Sequence, residues 1–205
     1  MNTLSTMCHG HYLDKKSVEL LSEALVKHYA KQTRHSEIAI VCIGTNRNSL
    51  DSLGPAVGSR LLERLQGHPR IRVYGTLDKP IHALNIHRQL ESIARAHPDA
   101  YMIAVDACIG QFFKIGTLQF VEEPLVPGLG LEKELPPVGH VHFKGVVNNH
   151  SALNPKVMEH GSLTFVHEMA AVLSRILVKA SGNIVPMLAA PAAEGSPSRT
   201  LSSTS

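Results

Sequence analysis

The 205-residue, 22.3 kDa chain carries a formal charge of +3 and a pI near 8.8, with 43% hydrophobic and 18% charged residues. That balance suits one globular domain that buries its core without a disulfide frame. Scattered Lys and Arg without interleaved aromatics argue against direct nucleic-acid binding, and the lack of a leader-like start or a membrane-length apolar run predicts a soluble cytoplasmic protein.

Residues 1–14 show no period and are expected to be a flexible N-terminus, His9 and His11 included. From Ser17 to Lys31, Val18, Leu21, Leu25 and Tyr29 recur at helical spacing, with Val26 widening the stripe. Ile38 to Ile43 is almost wholly apolar, as a central strand covered on both faces should be. A polar loop follows, and Gly54-Pro55 marks a helix start, with Pro in the first turn where its missing N–H does no harm. Val57, Leu61, Leu62 and Leu65 give that helix its buried stripe, and His68-Pro69 stops it.

Ile71 to Tyr74 reads as a second strand, and a helix is expected from Pro80 to the stop at His97-Pro98. Tyr101 to Val105 is a third strand, expected to end at Asp106. The order β-α-β-α-β favours parallel pairing with right-handed crossovers. Thr117 to Val121 looks like an antiparallel edge strand. VPGLGLEKELPPVG then has the length and composition of a functional loop or lid, and Val138 to Val147 alternates like a further strand. Glu159 to Lys179 makes a closing helix, and residues 181–205 are expected to be a flexible tail. Residues 15–180 are therefore predicted to form a single α/β domain.

Open parallel sheets bind ligands at the carboxyl ends of their strands. Asp51 follows the first of the three strands and Asp106 the third, so the two carboxylates meet if those strands are neighbours. Two close carboxylates cannot both ionise cheaply, so one keeps a proton near neutral pH. The charged member can then activate water while the other donates to a carbonyl. The same groups could instead hold a divalent metal, with His140 or His142 as a third ligand. Capping of a helix start by Asp51 and of a turn by Asp106 explains the aspartates without chemistry. Cys108 has no His base beside it in sequence and reads as a packed thiol. Gly44-Thr45-Asn46 is not a dinucleotide fingerprint.

Taken together, CIGTNRNSLDSLGP, IAVDACIG, VPGLGLEKELPPVG and HVHFKGVVN closely resemble the YyaC-type sporulation proteins, a family regarded as spore proteases. More distantly, Asp51-Ser52-Leu53-Gly54-Pro55 and Ala104-Val105-Asp106-Ala107 resemble the two aspartate motifs of the spore germination protease, which degrades small acid-soluble spore proteins. Pro127-Gly128-Leu129-Gly130 resembles its Gly-rich segment. The resemblance implies a three-layer α/β/α sandwich with a mostly parallel twisted sheet, the phosphorylase/hydrolase-like core shared with hydrogenase-maturating endopeptidases. It also implies Asp51 and Asp106 as the catalytic pair. Those endopeptidases hold a metal through acidic residues and a His. Here Ser52 follows Asp51 and Val126 precedes Pro127, which weighs against a metal, so no cofactor is expected.

The leading expectation is thus a cytoplasmic peptidase-like hydrolase of the sporulating cell or spore interior, acting on a peptide or small spore protein. Asn46, Arg47, Gly128, Gly130 and His142 would line the cleft, with no membrane partner and oligomeric state open. The alternatives are a non-catalytic peptide- or protein-binding protein on the same fold and a metal-dependent hydrolase of a small molecule.

Overall fold

The computed structural model describes residues 7–32, 34–47, 49–127, 135–149 and 155–190. In chain order the elements are β1 (Met7–His11), α1 (Lys16–Tyr29), β2 (Glu37–Cys42), α2 (Leu53–Leu65), β3 (Ile71–Tyr74), α3 (Ile86–Ala96), β4 (Ala100–Gly110), β5 (Thr117–Val121), β6 (Val141–Asn149) and α4 (Pro155–Ile184). The strands form one sheet in the order β1-β5-β6-β4-β2-β3. β3, β2, β4 and β6 are parallel; β5 runs antiparallel to β6, and β1, antiparallel to β5, takes the direction of the other four.

Alternation along β2 assigns the two faces. Ile38, Ile40 and Cys42 point into a core with Leu21 and Leu25 of α1, Leu53, Val57 and Leu61 of α2, and Val166, Leu173 and Ile176 of α4. Ala39 and Val41 point the other way, into a second core with Ile86 and Ile93 of α3 and with Leu125 and Val138. The result is a mixed α/β sandwich with three helices on one face of a mostly parallel sheet and one on the other. Each fully buried Leu or Val of α2 contributes roughly 1.5–3 kcal/mol to that packing.

The topology decides where a ligand can enter. From β2 the chain steps outward to β3 through α2 on one face, then crosses back to β4 through α3 on the other. The strand order therefore reverses between β2 and β4, and the crevice lies beyond their carboxyl ends. β2 and β4 are direct neighbours, Glu37 to Cys42 pairing with Ala100 to Val105.

Several boundaries differ from the sequence reading, β6 beginning at Val141 and α4 at Pro155 among them. Met7 to His11 is not frayed but pairs with Val121 to Thr117, and Ser17 Oγ donates to the His11 carbonyl at 2.7 Å, fastening α1 to it. β5 is consequently an inner strand. α3 begins at Ile86, not Pro80, because Asn85 first folds back: its Nδ2 donates to the Pro80 carbonyl and its Oδ1 accepts the His82 N–H. β4 continues past Asp106 to Gly110, since β6 pairs with it beyond the end of β2. The last helix reaches Ile184, and Leu188 is buried, while Arg70 Nη2 donates to the Ala189 carbonyl at 2.6 Å. The ordered domain thus extends past residue 181; residues 191–205 lie outside the described residues.

Candidate active site

Asp51 is held by a short return loop. Beyond β2, Ile43 bridges Ile81, and the Gly44 N–H donates to the Ile81 carbonyl at 2.8 Å. Gly44 has φ +142, and a Cβ there would collide with the Asp51 carbonyl oxygen. That carbonyl accepts the Thr45 N–H at 3.0 Å, which closes the loop. Asp51 then sits in the 3₁₀ turn Leu50–Ser52, half-buried, immediately before α2.

Asp106 approaches from β4. Its Oδ1 accepts the Ala107 N–H at 2.8 Å, which is the local cap expected of an aspartate, and leaves Oδ2 for other work. In-register pairing sets Asp106 beside Lys144 of β6, and Lys144 beside Gln119 of β5, all on one face of the sheet. These three side chains line a cavity of about 1010 Å³ together with Asp51 and His82. The two aspartates predicted to meet therefore share one cavity, at the strand-order reversal.

Electrostatics separates their roles. Burial and then the Asp51 charge push Asp106 up to about 7, against the Ala107 N–H and the Lys144 ammonium. Burial also raises Asp51, but the Thr45 backbone and the neighbouring His82 imidazole pull it down. Of the two carboxyls, Asp106 is the one pushed further up, by burial and by the Asp51 charge. Cys108 lines the same cavity, and burial pushes its thiol up to about 11, so it is no nucleophile at neutral pH.

The remaining predicted residues lie elsewhere. Asn46 does not line the cavity; its Nδ2 donates to the Leu77 carbonyl at 3.0 Å and braces the loop after β3. Arg47 is likewise absent from the lining. His142 is only 3% exposed, with Nδ1 donating to the Glu123 carbonyl at 2.7 Å. It lies one β-repeat before Lys144, beneath the segment that follows β5, and does not reach the cavity. His140 is at the opposite sheet edge, where its Nδ1 accepts the Met102 N–H at 2.9 Å and its ring stacks on Tyr101. Gly128 and Gly130 lie outside the described residues, but Val126, Pro127 and Leu135 on either side of that segment line the cavity.

A resident metal does not fit this donor set. Neither proposed histidine joins the aspartates, and among the described residues no group of three His, Cys, Asp or Glu is arranged to hold an ion. Lys144 instead places an ammonium of the protein's own in the cavity. Sequence reasoning missed both His82 and Lys144. His82 belongs to the segment that Ile81 joins to the sheet, which was assigned to a helix. Lys144 was overlooked in a strand noted for its histidines, although a Lys between Phe143 and Gly145, both buried, is itself a signal.

His142 carries a stability prediction. Burial holds its imidazole down at about 4, so it is neutral in the folded protein while the unfolded chain takes up a proton near 6.5. Stability is therefore lost as pH falls from about 6.5 to 4, by on the order of 1–3 kcal/mol. A His142→Asn protein, though less stable at neutral pH, is expected to show a flatter fall of melting temperature over that interval. An equal slope in the two proteins would contradict the assignment.

The fold and the cavity define a class: an α/β/α sandwich with two aspartates lining one cavity at its topological switch point. Within that class the chain belongs to the family described as "Protein of unknown function (DUF1256)", whose model matches residues 9–176. It is 39% identical over 160 residues to the uncharacterized protein YyaC of Bacillus subtilis (strain 168), a match covering 78% of this chain and 75% of that protein. Among solved structures it is similar to the [NiFe] hydrogenase maturation protease HycI from Thermococcus kodakarensis KOD1, with 15% identity, 76% of this chain and 99% of that chain covered, and a TM-score of 0.48. Among the described residues no helix is long and apolar enough to cross a membrane.

Proposed function

We propose that this chain is a peptidase-like hydrolase in which Asp51 and Asp106 activate water without a covalent intermediate. The observation that carries the proposal is the shared cavity in which burial and a second carboxylate hold Asp106 protonated up to about 7. The ionised Asp51 takes a proton from water as the water oxygen bonds to the peptide carbonyl carbon. Asp106 gives its proton to the carbonyl oxygen, forming a neutral gem-diol. Asp51 then passes its proton to the departing nitrogen as the C–N bond breaks, and Asp106 recovers a proton from a gem-diol hydroxyl. The dyad ends as it began, so one water is consumed per bond.

The resemblance of the aspartate motifs to spore proteases supports a peptide or small spore protein as substrate, in the cytoplasm of the sporulating cell or in the spore interior. The cavity has a volume of about 1010 Å³, at the upper end of the range for ligand pockets.

Cleavage of casein, an unstructured acidic protein, in ¹⁸O-labelled water tests the reading by mass spectrometry. Each new C-terminus is expected to carry one ¹⁸O, EDTA is expected to leave the rate unchanged, and Asp51→Asn is expected to lower it about a hundredfold or more. Tight binding without cleavage would make the chain a binding protein. Loss of cleavage with EDTA would make it a metallohydrolase.

A further inference from the structure

Lys144 sits in the middle of β6 between buried neighbours, where an ammonium is costly unless something employs it. Its Cα is in register with Asp106 on one side and Gln119 on the other, so its side chain leaves the sheet beside both and lines the cavity. Among the described residues it has neither a hydrogen bond nor an ion pair, although a carboxyl group is its cross-strand neighbour. As cross-strand neighbours the two interact through charge, the ammonium favouring the ionised form of the Asp106 carboxyl.

Hydrolysis changes that relation. When Asp51 accepts a proton from water and Asp106 gives one to the carbonyl oxygen, negative charge leaves Asp51 and appears on Asp106. We propose that Lys144 is a positioning residue for this transfer, its ammonium stabilising the carboxylate that forms on Asp106 only as the transition state is reached. An interaction made in the transition state and not in the resting site raises kcat without tightening substrate binding. The inference rests on the paired-carboxylate reading, since that chemistry creates the charge Lys144 meets.

The other charged or titratable groups that line the cavity around Asp106 are Asp51 from the β2–α2 loop, His82 from the segment after β3, Cys108 of β4 and Lys114 from the turn after β4. Among these cations Lys144 is the one whose charge acts on Asp106, lowering its proton affinity. Lys114 lies on the turn Phe112–Lys114, outside the in-register row.

The test compares the wild-type protein with Lys144→Met and Lys144→Arg by two readouts. The first is the titration of the Asp106 carboxyl, followed by ¹³C NMR of labelled aspartate and assigned with Asp106→Asn. The second is kcat and KM on casein. Lys144→Met is expected to move the Asp106 midpoint upward by about half a pH unit or more, and to lower kcat about 10- to 100-fold with KM changed less than about twofold. Lys144→Arg, which keeps the cation, is expected to restore most of both. An Asp106 midpoint unmoved in Lys144→Met overturns the inference, as does an Arg variant no better than Met in kcat. If the wild-type protein cleaves nothing, the hydrolytic reading fails at the second readout, while the first still decides whether Lys144 acts on Asp106.

Discussion

Replacing Asp106 with Asn is expected to lower turnover about a thousandfold and, above pH 7, to leave the folded protein more stable than the wild type. The first effect follows from the proposed role of Asp106 as the proton donor to the carbonyl, for which an amide is a poor substitute. The second follows from linkage. Asp106 holds its proton up to about 7 in the folded chain, whereas an unfolded aspartate releases it near 3.8. Between those values the folded state binds the extra proton, so stability falls as pH rises, and the full penalty is present above 7. Asn carries no charge at any pH and escapes it.

The expected gain is on the order of 1–3 kcal/mol at pH 8, a rise of a few degrees in melting temperature, vanishing below about pH 4. It runs opposite to the contribution of His142, which destabilises the fold as pH falls. In the wild type the two slopes offset each other between pH 4 and 7. In Asp106→Asn the slope from His142, joined by His35 and His140, which burial also lowers, should outweigh what Asp51 leaves, so stability should climb through that interval. Thermal melts at pH 4, 6 and 8 read both effects. Wild-type turnover in the variant would remove Asp106 from the chemistry. A melting-temperature difference that does not change with pH would remove it as the holder of the proton.

Burial also decides which parts of the molecule could be read from the sequence. The inner strands announced themselves: Ile38 to Cys42 and Tyr101 to Val105 are apolar because both faces of each strand are covered. That Asp51 and Asp106 line one cavity could be foreseen because motif and topology agreed on it, and β2 and β4 proved to be neighbours.

What escaped was non-local. Met7 to His11 has neither strong apolar alternation nor turn signals, and becomes a strand only because β5, more than a hundred residues later, offers it an edge. His140 and His142, two residues apart, were read as interchangeable ligands. In the fold one is at the far sheet edge stacked on Tyr101, and the other is sealed against Glu123. Lys144 gains meaning only from register, since nothing near it in the sequence shows that it faces Asp106. Period-2 patterns report which face a residue takes. They are silent on which strand lies alongside.

A Gly54→Ala substitution is expected to be among the most damaging single-methyl changes in the chain. Gly54 is the second residue of α2, and a Cβ there would overlap the backbone carbonyl of Ile43 at the end of β2. Backbone cannot swing aside as the tip of a long side chain can. The helix must move off the strand, and Leu53, Val57 and Leu61, all fully buried, must move with it. A cost of about 2–4 kcal/mol is expected. Gly182→Ala in α4 supplies the contrast, because a Cβ there meets nothing within 4 Å. By helix propensity that change should stabilise by up to about 1 kcal/mol. Chemical denaturation of the two proteins separates close approach from propensity. The same displacement has a functional consequence, since Asp51 stands three residues before Gly54 in the turn that leads into α2. Gly54→Ala protein that remains folded should therefore lose turnover, and its Asp106 midpoint should fall toward the ordinary carboxylate range as the Asp51 charge moves away. An unaltered midpoint in the folded variant would mean that the helix start does not hold Asp51 against its partner.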